Sequence, residues 1–280
     1  MDAFVNEKDF ELLARDRCTF QVLDRILRQE CELIRTDHER LILCHSASRY
    51  PVWIWTPDGL TEAEKEAAWK LASEFHLVEE GFEIIMKYEL AEYFMARAEK
   101  EGMKMGCQME MMAYDCPEPK APEFPADGEL YECTPEDTDE VVKFLSGFFM
   151  DLDGELPPDE RILAKAQEYI GNQAFFQWKT AEGTPVACCY YRPNQDMASI
   201  GGVWTVPEYR RKHYAQHMVY AVTKKIAGMG YLPMLYTDAN YAASNACYQK
   251  IGYTLRGRLC TIKRMEEKKM IYSRRQKDVL

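Results

Sequence analysis

Between Ile200 and Ala215 the chain reads Ile-Gly-Gly-Val-Trp-Thr-Val-Pro-Glu-Tyr-Arg-Arg-Lys-His-Tyr-Ala, and few arrangements satisfy such a stretch. A strand runs up to Pro207, which lacks the amide hydrogen a sheet needs and stops it there. Three consecutive cations follow, Arg210, Arg211 and Lys212; then Ala215, Met218, Val219, Val222 and Ile226 recur at helical spacing. The chain must therefore pass from strand to helix across a short basic corner. Such a corner points unpaired N–H groups, the positive end of the helix dipole and cationic side chains at one spot, which suits a phosphate.

A second stretch follows it. Leu235 to Tyr253 reads as a short strand, an Asn/Ser-rich helix start, a helix and a glycine stop at Gly252.

Together the two stretches resemble the GNAT N-acetyltransferase superfamily. That family carries Arg/Gln-x-x-Gly-x-Gly/Ala at its strand-to-helix turn, filled here by Arg210-Arg211-Lys212-His213-Tyr214-Ala215. It then has Asn, Ser-Asn and Tyr-x-Lys-x-Gly-Tyr/Phe, matched by Asn240, Ser244, Asn245, Tyr248, Lys250, Gly252 and Tyr253, with an extra residue between Asn240 and Ser244. The departure is His213 where the family has glycine. Its side chain must point away from the phosphates, and histidine is among the residues that tolerate positive φ.

The resemblance implies acetyl-coenzyme A as co-substrate, with no metal. Its pyrophosphate would be gripped by Arg210, Arg211, Lys212, His213, Tyr214 and Ala215, with Asn240, Ser244 and Asn245 beside it. The family's two central strands splay apart, which implies that backbone groups of Trp204, Thr205 and Val206 meet the pantetheine arm and thioester. Tyr248 stands where the family places its general acid. Asp238, Asp153 and Glu155 are candidates for the base, beside a chain of waters.

At 280 residues the chain exceeds an ordinary single domain. No apolar run is long enough to span a membrane, and the acidic first residues lack the pattern of a secretory signal. Ten cysteines form no Cys-x-x-Cys pair, so they read as reduced thiols of a cytoplasmic protein rather than a zinc framework. A net charge of −11 argues against nucleic acid and anionic membrane as partners and is compatible with an amine substrate.

The first half reads as a leading helical segment to about residue 30, a hairpin over 32–46, and a strand from Pro51 to Pro57. A helix opened by the capping-box spacing of Thr61 and Glu64 follows, then a strand over 82–88, a helix over 90–100 stopped by Gly102, and a strand over 103–114. Trp55-Thr-Pro57 precedes a helix much as Trp204-Thr-Val-Pro207 does, a hint of tandem duplication. After Pro57, however, Asp58, Glu62 and Glu64 stand where the second half has cations, and carboxylates there would repel a pyrophosphate.

Asp115 to Gly128 carries four prolines and reads as an extended linker. Beyond it come a strand over 129–133, a helix through Val141 and Phe148, the acidic loop Asp151–Glu155, and a helix over 157–170. Strands over 175–180 and 185–191 then form a hairpin at Glu182-Gly183, before the two stretches already described and a final strand over 256–263. The basic tail from Arg264 reads as a surface helix. This β-α-α-β-β-β-α-β-α-β order is that of the GNAT fold, so the expectation is a mixed α+β sheet. A degenerate GNAT-like domain would occupy 1–114, a linker 115–128 and an intact acetyl-CoA-binding domain 129–280.

The activity implied is transfer of acetyl to a primary amine of a small molecule or peptide, by direct attack within a ternary complex. A non-catalytic acyl-CoA-binding or regulatory module is the alternative. No Gly-x-x-x-x-Gly-Lys-Ser/Thr loop or Gly-x-Gly-x-x-Gly fingerprint supports another nucleotide-binding class. The acceptor and the oligomeric state are not encoded in any motif.

Overall fold

A computed structural model describes residues 1–265; the tail residues 266–280 and the side chain of Asp153 lie outside the described residues. The first half contains α1 (Glu7–Arg15), α2 (Gln21–Ile26), β1 (Leu33–Thr36), β2 (Ile42–His45), β3 (Val52–Trp55), α3 (Glu62–Glu74), β4 (Ile84–Lys87), α4 (Tyr88–Lys100) and β5 (Met105–Asp115). The second contains β6 (Glu129–Glu132), α5 (Thr138–Asp153), α6 (Asp159–Gly171), β7 (Phe175–Lys179), β8 (Pro185–Asn194), β9 (Met197–Thr205), α7 (Tyr214–Gly228), β10 (Leu232–Asp238), α8 (Ala242–Ile251) and β11 (Thr254–Arg264). Among the described residues no helix is long and apolar enough to cross a membrane, and no cluster of three or more His, Cys, Asp or Glu is placed to hold a metal.

The chain forms two compact units. Among the described residues the first takes Met1–Val5, Cys31–Gln108 and 260–265. Here β1, β2 and β3 run antiparallel in turn, and β3 pairs with β4 in parallel, as an intervening helix requires. Asp37 makes the hairpin turn by accepting the amides of Glu39, Arg40 and Leu41. The core gathers Leu43, Ile54, Ile84 and Met86 beneath Trp69 of α3 and Phe94 of α4, whose rings meet edge to face at 5.2 Å.

The second unit takes Asn6–Glu30 and Met109–Leu259. Its strand order is β11-β5-β10-β9-β8-β7-β6. β9 and β10 pair in parallel, with α7 as their crossover; β6 to β9 form an antiparallel meander, and β10 lies antiparallel to β5. The apolar stripe of α7, Met218, Val219, Val222 and Ile226, packs on Ile200 and Leu235. On the other face Met234 and Tyr236 pack with Cys18. That alternation is the period of two expected of a strand buried on both faces.

The mixed sheet and the GNAT order of elements from β6 to β11 are as the sequence implied. Both halves also share one succession: hairpin, strand, helix, parallel strand, helix, strand.

The division of the chain falls differently from the linear one. Residues 6–30 and 109–128 belong to the second unit. Residues 115–128, expected as a linker, are hydrogen-bonded along their length: Cys116 N–H donates to Pro233 O, Lys120 N–H to Ile251 O, and the Trp178 indole to Asp127 O. Prolines remove ladder donors, but they leave the carbonyls and the side chains free to dock. Arg264 closes β11 rather than opening a helix, and the rest of the basic tail, apart from Met265, falls outside the described residues.

Candidate functional site

Pairing between β9 and β10 runs from Met197↔Leu232 to Ile200↔Leu235 and stops. Beyond it each strand follows its other neighbour: Tyr236, Thr237 and Asp238 pair with β5, while Gly201, Trp204 and Thr205 pair with β8. The two strands therefore part after Ile200 and Leu235, ahead of the Trp204–Val206 stretch that the resemblance singled out. A β-bulge begins at the same place. Cys188 faces Trp204 and Tyr190 faces Gly201, so Gly202 and Val203 together oppose Cys189. Gly202 has φ +60°, and a Cβ on it would lie 2.4 Å from the Tyr190 ring. Both the left-handed backbone and the close ring require glycine. The Gly201-Gly202 pair inside a strand was the sequence signal for this bulge.

Trp204, Thr205 and Val206 lead out of the gap. The Trp204 indole donates to Asp151 Oδ2 at 2.7 Å and its ring meets Phe144 edge to face, both on α5. Gly147 makes room for it, since a Cβ there would sit 2.6 Å from the indole. Thr205 O accepts Arg210 Nε. Val206 N–H donates to Val186 O, and its carbonyl accepts Tyr209 N–H. Both main-chain groups of Val206 thus serve the fold, contrary to the expectation that they face a ligand.

The basic corner is built from two left-handed residues, Arg211 and His213, each at φ +64°. His213 is the N-cap of α7 and supplies no side-chain cap. Its ring turns away and stacks on Phe124 at 5.3 Å. No acidic residue lies in the first turn, so the N-terminal amides around Tyr214 and Ala215 are left without a carboxylate partner. α1 and α3 are the opposite case, each closed by a capping box. Arg211, Lys212 and His213 are exposed. Lys212 lies over the Tyr209 ring at 4.9 Å. Arg210 is ion-paired with Asp151; the Trp204 N–H and then Arg210 hold the Asp151 carboxyl below its usual range.

The 115–128 segment fastens this corner from outside. The Tyr214 hydroxyl donates to Asp127 Oδ1 at 2.7 Å, Asp127 Oδ2 accepts the Ala181 N–H, and His217 Nε2 meets Phe124 O at 2.8 Å. The bond to Asp127, then burial, pushes the Tyr214 hydroxyl up to about 12. The same bond holds the Asp127 carboxyl down. Sequence reading passed over Phe124 and Asp127 because nothing local ties them to α7.

On α8 the expected residues divide. Asn245 is 8% exposed; its amide donates to the carbonyls of Asp238 and Tyr241 at 2.9 Å and accepts from the Tyr114 hydroxyl at 3.3 Å. It locks the β10–α8 turn from within. Asn240 is exposed and bonds to Asp238 Oδ1 through both its amide groups, which engages one oxygen of the carboxylate considered as a base. Ser244 is half-buried on the first turn of α8, and Glu155 is exposed. Tyr248 is 7% exposed in the core beneath α7. Burial holds its hydroxyl far above the ordinary tyrosine value, so it stays protonated. No hydrogen bond joins that hydroxyl to another described residue, which sets it apart from Tyr253, bonded to Thr223.

A pocket of about 220 Å³ opens beside the gap, lined by Ser199, Ile200 and Gly201 of β9, Tyr236 of β10, Gln21 and Arg25 of α2, and Tyr190 and Arg192 of β8. None of these was singled out from the sequence as a site residue, since their meeting depends on α2 returning to this sheet.

Comparison with known proteins bears on both the fold and the family. The structure is similar to that of a GNAT-family acetyltransferase from Colwellia psychrerythraea, at 12% identity and a TM-score of 0.60, covering 94% of this chain and 99% of that one. It is similar also to GCN5-related N-acetyltransferases from Sphaerobacter thermophilus (14% identity, 88% and 85% of the two chains, TM-score 0.62) and Kribbella flavida (15%, 91% and 96%, 0.59). At such identities these likenesses show the shared fold, and no curated protein matches the sequence. Residues 138–253, which run from α5 to just past α8 and hold the corner, the gap and Tyr248, match the acetyltransferase (GNAT) family model.

Proposed function

We propose that the chain is an N-acetyltransferase that moves acetyl from acetyl-coenzyme A to a primary amine within a ternary complex. The observation that carries the reading is the start of α7: without a side-chain cap, without an acidic residue in its own first turn, flanked by Arg211 and Lys212, and bent by two left-handed residues so that the His213 ring faces away. Such a corner suits a pyrophosphate through main-chain N–H groups and the helix dipole. Arg211, Lys212, His213, Tyr214 and Ala215 would hold it, with Arg210 positioned by Asp151. Asn240 and Ser244 would flank the cofactor, while Asn245 shapes the turn that carries them.

Bound there, the cofactor supplies an activated acetyl thioester. The open edge of β9 from Gly202 to Thr205 would receive its arm, within the gap where β9 and β10 part. Tyr248, buried and protonated, would give its proton to the departing sulfur. The acceptor amine must be neutral to attack, and water at the gap would take its proton, with the second oxygen of Asp238 as the alternative. In the first unit α3 is capped by Thr61 and opens with Glu62 and Glu64, so that unit would serve as a degenerate copy without a cofactor site.

Calorimetric titration with acetyl-coenzyme A tests the reading. Micromolar binding is expected, weakened at least tenfold by Lys212→Ala together with Arg211→Ala and unchanged by Tyr248→Phe. Turnover with an accepted amine should fall about 10²- to 10⁴-fold in Tyr248→Phe. No binding would overturn the reading. Binding with turnover that ignores Tyr248→Phe would remove Tyr248 as the acid, and binding with no turnover on any amine would favour the regulatory module.

A further inference from the structure

The pocket beside Gly201 has a chemistry of its own. In a chain of net charge −11 it is lined by two arginines, Arg25 and Arg192, and by no carboxylate. Arg25 stands out. Its Nε is buried without a hydrogen-bond partner, although a guanidinium carries five donors in a fixed fork. Its neighbour Asp24 is occupied elsewhere, by Arg28 at 2.8 Å and by Asn194 at 3.1 Å. Arg192 is only partly engaged, with the Tyr169 hydroxyl at 3.0 Å and Glu168 at 3.5 Å.

The surroundings strengthen the bias. Burial, and next the charge of Arg192, hold Arg25 below its ordinary value, and Lys165 is lowered by the same two causes. Like charges gathered with an unmet donor are costly unless an anion completes the set. The apolar floor is rigid, because Tyr190 stacks on Tyr169 at 4.1 Å and Tyr236 is pinned by bonds to the carbonyls of Cys18 and Thr19.

Position decides what the anion belongs to. Gly201 lines the pocket, and strand pairing ends one residue before it. A molecule anchored at Arg25 therefore reaches into the gap where the thioester would be presented. About 220 Å³ is room for a small molecule.

We infer that the acceptor is a small amino acid whose carboxylate is held by Arg25 and Arg192, leaving its amine at the opening between β9 and β10. The inference rests on the acetyl-transfer reading above. The fork of a guanidinium matches a carboxylate by two parallel hydrogen bonds, which fixes the amine in direction as well as in place. In the step, the amine nitrogen forms a bond to the acetyl carbon and the carbon–sulfur bond breaks. Sulfur takes the proton of Tyr248, and the proton shed by the amine returns to that tyrosine through water. The products are an N-acetylamino acid and free thiol.

The test measures thiol release from acetyl-coenzyme A with glycine, L-alanine, L-serine and L-methionine, each beside its primary amide, and with O-phosphoethanolamine, at matched concentrations of neutral amine. At least one acid should exceed its amide about 10- to 100-fold in kcat/KM, the worth of a charge-assisted hydrogen bond. Arg25→Gln should erase that preference mainly through KM, Arg25→Lys should restore part of it, and neither should change acetyl-coenzyme A affinity. Amides used as well as acids, a preference for the phosphate, or a preference that survives Arg25→Gln would overturn the inference while leaving the enzyme reading intact. Failure to bind acetyl-coenzyme A at all would instead overturn the reading on which it rests.

Discussion

Replacing Asn245 by alanine separates what a family motif suggests from what this fold uses. The Asn245 amide gives two hydrogen bonds of 2.9 Å to main-chain carbonyls and a longer one of 3.4 Å to Ala239 O, and its oxygen accepts from Tyr114. A net hydrogen bond between neutral groups contributes about 1 kcal/mol, and an orphaned buried partner costs about 1–3 kcal/mol. The carbonyl of exposed Tyr241 can turn to water, whereas Asp238 O and the Tyr114 hydroxyl lie deeper. Asn245→Ala should therefore cost about 2–4 kcal/mol, read as an earlier midpoint in urea unfolding followed by circular dichroism with the slope unchanged. Tyr114→Phe removes the bond to Asn245 together with the same hydroxyl's contacts to Met112 Sδ and Gln249 Nε2 and should cost about 1–2 kcal/mol, and the double variant should cost less than the two together. Acetyl-coenzyme A affinity extrapolated to fully folded protein should change less than threefold in Asn245→Ala. A stability loss under 1 kcal/mol with a large loss of affinity would refute the argument and return Asn245 to the cofactor.

Other positions give sharper contrasts. His213→Gly should keep acetyl-coenzyme A affinity within about threefold, since glycine takes φ +64° freely; His213→Val should lower it more than tenfold, because a branched side chain resists that conformation. The contact of Tyr214 with Asp127 sets a pH window. The lowered Asp127 contributes above the ordinary carboxylate value and loses its contribution as pH falls through its depressed value. The raised Tyr214 contributes below the ordinary phenol value near 10 and is lost towards about 12. Wild type should thus melt above Tyr214→Phe between about pH 5 and 9, with the gap closing on acidification; a gap that persists at pH 2 would refute the pairing. Gln177 is fully buried, and neither its amide oxygen nor its nitrogen has a partner. Gln177→Met should raise stability by about 1–2 kcal/mol in the same urea assay, and a loss of stability would mean that an ordered water serves the amide.

What the sequence revealed was what short-range physics decides. The break at Pro207, the stripe of α7, the Thr61 capping box and the stop at Gly252 are local choices, and each appears in the structure as read. The left-handed conformation of His213 was legible too, because the motif's glycine position demanded it. Long-range partners were not. Nothing in Met109 to Asp115 says that this strand lies beside β10, nor does any pattern in Gln21 to Ile26 say that Arg25 meets Arg192. Proline content between 115 and 128 signals the loss of ladder donors, and was read as a linker for that reason. The tertiary bonds of Asp127 and Phe124 are invisible to composition. Val206 was assigned to a ligand because its position in the motif was right, while the amide it offers is spent on Val186.

The contrast between α3 and α7 sets a helix start closed by its own side chains beside the one proposed here to bind an anion. Both helices follow a strand that ends near a proline, and each crosses over to a parallel strand. At α3 the Thr61 hydroxyl and the Glu64 carboxylate close the first turn on itself, and those bonds hold Glu64 down to about 2, fully ionised at neutral pH. The amides are satisfied internally, and the negative charge already sits where an anion would dock. At α7 the N-cap side chain leaves, the first turn lacks acid, and the neighbouring side chains are cations. Its dipole and donors remain unmet by the chain. On the proposed reading an anion completes that helix, so pyrophosphate should stabilise the second unit against unfolding, read as slower hydrogen exchange first at the amides of residues 214–216. Protection arising instead at 62–64 would contradict the division of roles drawn from the two caps.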